Sequence, residues 1–210
     1  MELKDEPFSY PVSDHKAIFK GRIFDIVSDD VDLGKEGTVV REYIDHPGAV
    51  AILALDNDDR VAIINQYRHP IRSILWEIPA GLLDINGELA IDAAKRELAE
   101  EADLEAKQWD VLVDLVTSPG GTNEALRIYL ARDLTPTGKK FERFDEEATM
   151  RVEWLPLDEL VEGAFAGRFR NAALVAGALA AAVARANNWA TLRPATAPWP
   201  DRPKAGPETA

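Results

Sequence analysis

The stretch KRELAEEADL, at positions 95–104, contains four acidic residues: Glu97, Glu100, Glu101 and Asp103. In a helix, the three glutamates have the spacing i, i+3 and i+4, which places them on one side. Like charges at these spacings destabilise a helix by roughly 0.2–0.5 kcal/mol per pair. A divalent cation would turn this repulsion into attraction, and carboxylate oxygens suit Mg²⁺ and Mn²⁺. The stretch therefore raises the hypothesis of a metal site, against the alternative of a solvated acidic face.

Two upstream features favour the metal hypothesis. The helix is predicted over residues 88–102, where an apolar stripe repeats at helical spacing, and Glu88 at its start is favoured by the helix dipole. Gly81 lies before it in PAGLLDING, where a backbone carbonyl could reach a cation. Carboxylates and a carbonyl form an oxygen donor set that water and phosphate oxygens can complete.

Composition excludes several other classes of protein. The chain of 210 residues has 46% apolar and 29% charged residues and a net charge of −13, which argues against nucleic-acid and membrane partners. Without cysteine there is no disulfide or thiolate site, and three scattered histidines make a histidine metal centre improbable. The N-terminus lacks the apolar segment of a signal peptide. We therefore expect a cytoplasmic enzyme.

The order of predicted elements indicates an α+β fold, with a mixed sheet between helices in an α/β/α sandwich and a small β annex at the N-terminus. Two hairpins are predicted, the second from strands that are nearly all apolar. The first hairpin covers residues 22–33 and 38–46, and the second covers residues 48–55 and 60–67. Strand fragments fall within residues 71–84, and further strands are predicted at 109–116, 125–131 and 149–156. Further helices are predicted at 157–167 and 171–187.

These elements divide the chain into three parts. Residues 1–46 form an irregular or partly extended arm and a hairpin, and residues 47–190 form the main domain. Residues 191–210 form a proline-rich tail, whose composition predicts disorder or loose docking.

A family resemblance rests on Gly81, Glu88 and the run from Arg96 to Leu104. Together they resemble the Nudix box, G-x5-E-x7-R-E-U-x-E-E-x-G-U, with one extra residue between Gly81 and Glu88. Asp103 stands where the family usually has glycine. That glycine would be the left-handed residue after the helix, a conformation that aspartate also adopts at a cost of about 1 kcal/mol.

Outside the box, the resemblance covers roughly residues 38–190 and extends to the ADP-ribose pyrophosphatase subgroup. It is carried by VVREYIDHPGAVAILAL, NQYRHP, WEIPAGLLD, SPGGTNE and DEEATMRVEWLPLDEL. The resemblance implies a Nudix-type fold, hydrolysis of ADP-ribose to AMP and ribose 5-phosphate with Mg²⁺ or Mn²⁺, and a homodimer that exchanges the N-terminal hairpin. Two alternatives stay open. One is a Nudix hydrolase of another nucleoside diphosphate derivative, such as a sugar nucleotide, a dinucleoside polyphosphate or NADH, and the other is a non-catalytic ADP-ribose sensor.

The resemblance also implies roles for the residues of the box. Glu97 and Glu101 would be metal ligands together with the carbonyl of Ala80. Glu100 would be a partial or second-metal ligand, and Arg96 would orient the glutamates. Glu88 could pair with Arg96 or only favour the helix start.

The resemblance also implies roles in catalysis and substrate binding for residues outside the box. The general base would be Glu147, with Glu146 as the alternate, on the loop FDEEATM. Arg68 would contact phosphate, and Arg41 would face the phosphate or the ribose from the partner subunit. Glu124 would touch the ribose or an activated water, and Trp76 could stack on adenine, although a tryptophan in an apolar strand is more often part of the core. The histidines receive no role.

Overall fold

The computed structural model of the protein describes residues 3–139, 141, 143 and 149–202, which form eleven strands and three α-helices. The strands are β1 (Val12–Lys20), β2 (Asp25–Asp32), β3 (Thr38–Asp45), β4 (Ala49–Ala54), β5 (Arg60–Arg68), β6 (Ser73–Glu77), β7 (Ala80–Leu82), β8 (Leu104–Val116), β9 (Ala125–Pro136), β10 (Val152–Pro156) and β11 (Arg193–Pro194). The helices are α1 (Ala90–Ala102), α2 (Leu157–Phe165) and α3 (Ala172–Ala186).

The three predicted helices are confirmed, and local capping explains where two of them begin or end. The side chain of Asn171 caps α3 by accepting a hydrogen bond from the N–H of Leu174 (2.9 Å). Asp103 ends α1 in the left-handed conformation, with φ 56° and ψ 33°, and its N–H donates to the carbonyl of Ala99. The aspartate at the glycine position of the box thus adopts the conformation that the pattern predicts.

Two sheets form the centre of the main domain, in agreement with the predicted α+β fold. A mixed five-stranded sheet has the order β11-β8-β9-β4-β7, with β4 parallel to β9, and an antiparallel three-stranded sheet has the order β10-β5-β6. Successive residues of β4 face opposite sides: Val50 and Ile52 pack in a cluster with α1, and Ala51 and Leu53 pack in a cluster with α2 and α3. The helices therefore cover both faces, as the apolar strands predict.

The predicted hairpin of residues 48–55 and 60–67 is wrong, although both strands exist. β4 and β5 belong to different sheets and are linked by an isolated bridge between Leu55 and Val61. The reason is that each strand already has two partners, β9 and β7 for β4, and β10 and β6 for β5. Strand propensity does not show which edges are occupied.

The first three strands form a separate antiparallel sheet, β1-β2-β3, which we call the N-terminal sheet. The predicted hairpin corresponds to β2 and β3, and β1 adds a third strand from the arm. The sheet joins the main domain through the loop before β9, where the N–H of Ile44 donates to the carbonyl of Gly121 (2.9 Å).

The prediction of a disordered or loosely docked tail is wrong for residues 193–202. β11 pairs with β8, and the guanidinium of Arg127, a residue only 2% exposed, donates to the carbonyls of Ala197 (2.8 Å) and Pro198 (3.0 Å). The same guanidinium lies 4.8 Å from the ring centroid of Trp199. A buried cation needs acceptors, and the tail supplies them.

Candidate active site

The acidic face of α1 lies against the short strand β7, and this contact forms the centre of the candidate site. Glu101 is 4% exposed, and its Oε2 accepts a hydrogen bond from the N–H of Ala80 (2.8 Å). A carboxylate is rarely buried without partners, so its burial at this point indicates a built arrangement rather than a solvated face. The contact places Glu101 beside the residue whose carbonyl the resemblance implies as a ligand.

Glycine at position 81 lets Glu97 occupy the space that a side chain would otherwise fill. A Cβ built on Gly81 would lie 2.1 Å from both Cδ and Oε1 of Glu97, far inside van der Waals contact. The glycine of the box therefore permits a close approach of the carboxylate to the backbone of β7.

Arg96 connects three glutamates of the box. Its Nε and Nη2 donate to the two carboxylate oxygens of Glu88 (3.1 and 3.0 Å). Its Nη1 donates to Glu97 (2.5 Å) and Glu100 (3.3 Å). The hydrogen bonds to Glu88 are the largest cause that raises the pKa of Arg96 above its ordinary value. Of the two interpretations of Glu88, the structure therefore shows the ion pair.

A cavity of ≈ 350 Å³, which we call the acidic cavity, opens on these groups. Its lining includes Asp84, Arg68, Arg96, Gly81, Glu97 and Glu101. Asp84 is an additional carboxylate that the sequence did not single out as a site residue.

The donor set of the acidic cavity fits a hard divalent cation. Its carboxylate oxygens and the nearby carbonyl of Ala80 are the ligand types that such ions take. Among the described residues, however, no three histidine, aspartate or glutamate side chains are already arranged as a metal site. Arg96 holds oxygens of Glu97 and Glu100 by hydrogen bonds, so binding requires these side chains to rearrange locally.

A larger cavity of ≈ 510 Å³ adjoins the acidic cavity, with Arg68, Ala80 and Gly81 in the lining of both. We call it the apolar cavity, because Phe24, Ile78 and Leu126 contribute to its walls. Its polar groups include Glu77, Glu124, His46 and Asn171. The two cavities therefore lie side by side, with β7 contributing to the walls of both.

Arg68 lies at the junction of the cavities and is held by Glu77. Its Nε and Nη2 donate to the two oxygens of Glu77 (2.9 and 2.6 Å). The side chain of Glu77 is 3% exposed, whereas that of Arg68 is 45% exposed. The buried carboxylate therefore fixes the direction of an arginine that faces the open space. Glu77 was not selected as a site residue from the sequence. The signal that could have found it is a glutamate within an otherwise apolar strand.

Glu124 and His46 form the second polar group of the apolar cavity. Thr117 Oγ1 donates to Glu124 Oε2 (2.6 Å), and His46 Nε2 lies 3.9 Å from Glu124 Oε1. His46 Nδ1 accepts a hydrogen bond from the N–H of Gly48 (3.1 Å), so the ring proton is on Nε2, facing Glu124. Glu124 thus lines the apolar cavity, and so does His46, to which the sequence assigned no role.

Two of the expected residues that the structure describes are not brought to these cavities. Arg41 lines a separate surface cavity beside Pro119 and donates to the carbonyl of Val40 (2.9 Å). Trp76 packs against the core, with Arg151 5.9 Å from its ring centroid. Because Glu77 faces the apolar cavity, alternation along β6 directs Trp76 to the other side. Glu146 and Glu147 lie outside the described residues.

This fold and site define a known class. Residues 45–176 match the NUDIX domain, and the chain belongs to the Nudix hydrolase family. Members of the family generally use divalent metal ions. None of the helices in the described ranges has the length and apolar content to cross a bilayer.

The chain is also similar to individual proteins over most of its length. The chain is 42% identical over 190 residues to an ADP-ribose pyrophosphatase of Mycobacterium tuberculosis (strain ATCC 25618 / H37Rv), covering 90% of this chain and 91% of that protein. It is 37% identical over 145 residues to a methanol dehydrogenase activator of Bacillus methanolicus, covering 69% and 77%. A crystal structure of an ADP compounds hydrolase has the same fold, with a TM-score of 0.70 at 21% identity, covering 88% of this chain and 98% of that one.

Proposed function

We propose that this protein hydrolyses the pyrophosphate bond of ADP-ribose to give AMP and ribose 5-phosphate, with Mg²⁺ or Mn²⁺ as cofactor. The observation that carries the proposal is the junction at β7, where a metal-type acidic cavity meets an apolar cavity across Gly81 and Arg68. Such a space suits a ligand with a diphosphate in the middle and sugar or base groups beyond it. The ADP-ribose pyrophosphatase relative gives the specific substrate.

The metal would be held by Glu97, Glu101 and the carbonyl of Ala80, with Glu100 as a partial or second-metal ligand. When bound, it supplies charge neutralisation on the phosphate oxygens and lowers the pKa of the attacking water. Arg96 orients the glutamates through its fork to Glu88 and its contacts with Glu97 and Glu100. Such supporting contacts commonly change metal affinity or activity by 10–100-fold.

The protein's own groups bind and orient the two ends of the substrate. Arg68, directed by Glu77, faces the space in which the diphosphate would lie, and a guanidinium suits phosphate oxygens. Glu124 can accept a hydrogen bond from a ribose hydroxyl, and the apolar wall near Phe24 and Leu126 can take the less polar part of the ligand.

A general base must take the proton of the attacking water, and we propose Glu147 for this role, with Glu146 as the alternate. The water oxygen bonds to one phosphorus while the bond from that phosphorus to the bridging oxygen breaks. The bridging oxygen leaves with the other phosphate, so each product carries one phosphate group.

We also propose that the N-terminal sheet mediates a homodimer. Ile18, Phe19 and Ile23 are 57%, 58% and 58% exposed in the single chain, which is unusual for large apolar side chains on neighbouring segments. A second copy would cover them and would bring Arg41 within reach of the neighbouring site.

Product analysis in ¹⁸O-labelled water tests the proposed reaction. Purified protein with Mg²⁺ should release AMP and ribose 5-phosphate from ADP-ribose, with one ¹⁸O atom in one of the two phosphates. Glu101→Gln and Glu147→Gln should each lower turnover at least about 100-fold, whereas the exposed Glu105→Gln on β8 should not. Near-normal turnover by Glu147→Gln would move the base to another residue.

The same assay separates the alternatives. A panel of sugar nucleotides, dinucleoside polyphosphates and NADH would reveal a different substrate as a higher kcat/KM than that for ADP-ribose. Tight binding of ADP-ribose without AMP release would favour a sensor. The retained glutamates of the box favour catalysis over sensing.

A further inference from the structure

His46 and Glu124 face each other in the apolar cavity, and each side chain is fixed by a hydrogen bond. His46 Nδ1 accepts from the N–H of Gly48 (3.1 Å), which leaves the ring proton on Nε2. Glu124 Oε2 accepts from Thr117 Oγ1 (2.6 Å). The two facing atoms, Nε2 of His46 and Oε1 of Glu124, lie 3.9 Å apart. This distance is longer than a hydrogen bond, so the donor and the acceptor do not satisfy each other.

The two segments that carry this pair are tied together through Asn123. The N–H of His46 donates to Oδ1 of Asn123 (2.8 Å), and Nδ2 of Asn123 donates to Asp45 (2.6 Å). The N–H of Asn123 donates to the carbonyl of Ile44 (3.3 Å). The residue before Glu124 therefore binds three consecutive residues that end at His46. The side chains of His46 and Glu124 are only 13% and 28% exposed, so the pair is shielded and held in place before a ligand binds.

A donor and an acceptor held side by side suit a ligand that offers both. A hydroxyl group donates and accepts, and neighbouring hydroxyls of a ribose can meet the N–H of His46 and the Oε1 of Glu124 together. A phosphate offers mainly acceptors, and the carboxylate of Glu124 would repel it. In ADP-ribose each ribose is bonded to the diphosphate, and Arg68, proposed to bind the diphosphate, lines the same cavity. Because adenine lies one sugar further away, ribose hydroxyls fit this pair best.

We propose that His46 is a substrate-binding residue whose Nε2–H donates to one hydroxyl oxygen of a ribose, while the neighbouring hydroxyl donates to Oε1 of Glu124. The inference rests on the proposed function and adds a donor to the acceptor that Glu124 supplies there. It also makes the pair a determinant of specificity for sugars with vicinal hydroxyls. A substrate without them would leave both groups unpaired in a shielded site.

Two substitutions of His46 separate the ligand contact from the fold. Asparagine keeps an acceptor near the position of Nδ1 for the N–H of Gly48 but removes the Nε2 donor, whereas glutamine places an amide N–H near the position of Nε2. We expect His46→Asn to raise KM for ADP-ribose about tenfold, with kcat within about threefold of the wild type and the melting temperature unchanged. His46→Gln should keep KM within about threefold of the wild type. His15→Asn, the same change at a half-exposed histidine of β1, is the control and should leave KM and kcat unchanged.

Two analogues of ADP-ribose identify the group that His46 contacts. One lacks the vicinal hydroxyls of the adenosine ribose, and the other lacks those of the terminal ribose. His46→Asn should change kcat/KM by less than about twofold for the analogue that lacks the bound hydroxyls, and should still lower it about tenfold for the other. A tenfold loss with both analogues would overturn the inference, because the histidine would then contact the diphosphate or adenine. A wild-type KM for ADP-ribose in His46→Asn would overturn it as well.

Dissociation constants from calorimetry distinguish failure of this inference from failure of the proposed function. If the wild type binds ADP-ribose without hydrolysing it, the proposed function fails, and the same variants and analogues decide the ribose contact by affinity. About tenfold weaker binding of ADP-ribose by His46→Asn, recovered in His46→Gln and absent with one analogue, would support the contact. An affinity of His46→Asn for ADP-ribose equal to that of the wild type would overturn it. No measurable binding of ADP-ribose by the wild type would overturn both proposals.

Discussion

At the level of single residues, the site depends on Gly81, which has no side chain, and on Arg96, which binds several glutamates. Gly81 leaves the space that the carboxylate of Glu97 fills, and Arg96 holds that same carboxylate by hydrogen bond. The two contacts act on the same proposed metal ligand. Their loss should therefore affect metal binding before it affects the fold.

Gly81→Ala should displace Glu97 with little cost to stability. The new Cβ would meet atoms of a flexible side chain rather than backbone, so the glutamate can rotate away. We expect a melting temperature within a few degrees of the wild type and at least a tenfold rise in the metal concentration for half-maximal activity. Calorimetry and a metal titration of turnover measure the two effects. A wild-type titration curve would show that Glu97 binds no metal from this position.

Glu88→Gln should weaken the orientation of the box without removing a ligand. Glu88 accepts two hydrogen bonds from Arg96, and a neutral amide offers one acceptor oxygen in place of the carboxylate. We expect kcat/KM to fall about 10–100-fold, as for other groups that support metal ligands. Steady-state kinetics at saturating metal would check this, and an unchanged kcat/KM would assign Glu88 to helix initiation alone.

Sequence reasoning at this scale was strongest where spacing carries the information. Helical spacing predicted that the glutamates share one side of α1, and the resemblance to the Nudix box implied that Glu101 lies near Ala80. Glu77 and His46 were missed because their positions depend on which face of a strand or loop the fold turns inward. A lone charged residue in an apolar strand was the available signal for Glu77, and the sequence held no comparable signal for His46.

At element scale, β8, β9 and the tail are joined by the ion pair of Asp114 and Arg127. The two nitrogens of the Arg127 fork donate to Asp114 (2.7 and 2.9 Å), and Arg193 adds a third hydrogen bond (2.9 Å). Burial alone would raise the pKa of Asp114, but the hydrogen bonds from Arg127 and Arg193 outweigh it and hold the pKa below its ordinary value.

The lowered pKa gives Asp114 a pH-dependent contribution to stability. The stabilisation is fully present above the ordinary carboxyl pKa of about 3.9 and is lost as pH falls through the lower folded-state pKa. Asp114→Asn leaves the buried Arg127 without its counter-ion and should lower the free energy of unfolding by about 3 kcal/mol at pH 7. The difference from the wild type should shrink below about pH 4.

Denaturant unfolding across pH measures this effect. Asp158→Asn, which removes an ion pair with Arg185 at a carboxylate 74% exposed, is the control and should change stability by less than about 1 kcal/mol. A difference between Asp114→Asn and the wild type that stays constant from pH 7 to pH 2 would contradict the assignment.

The elements themselves were largely predictable, and their pairing was not. Helical periodicity located all three helices, and apolar runs located β4 and β5. The hairpin predicted for these two strands failed because pairing is decided by strands far along the chain, such as β9. The tail was misjudged because composition does not reveal a buried arginine that needs its carbonyls.

Across the whole molecule, two surface properties bear on binding: the net negative charge and the exposed apolar side chains of the N-terminal sheet. The net charge of −13 repels an anionic substrate, so local arginines and a cation must reverse the field at the site. The N-terminal sheet exposes large apolar side chains, which the proposed homodimer would cover. The annex was predicted from sequence, but its third strand was not, because the arm has weak strand patterning.

Phe19→Asp should weaken the proposed homodimer at least about 100-fold, because it places a charge in an apolar contact. Sedimentation velocity should show a dimer for the wild type and a monomer for the variant at micromolar concentration. Lys35→Asp, in the turn between β2 and β3, is the control and should remain dimeric. A wild-type monomer at the same concentration would contradict the proposed assembly.

The proposed function requires that the acidic face of α1 binds a divalent cation against β7. Titration of the protein with Mn²⁺, followed by the loss of the free-ion signal in electron paramagnetic resonance, tests it without relying on turnover. We expect saturable binding by the wild type and by Glu105→Gln, and at least tenfold weaker binding by Glu97→Gln and Glu101→Gln, with far-UV circular dichroism unchanged in all four. Equal Mn²⁺ affinity in the wild type and in both box variants would contradict the claim.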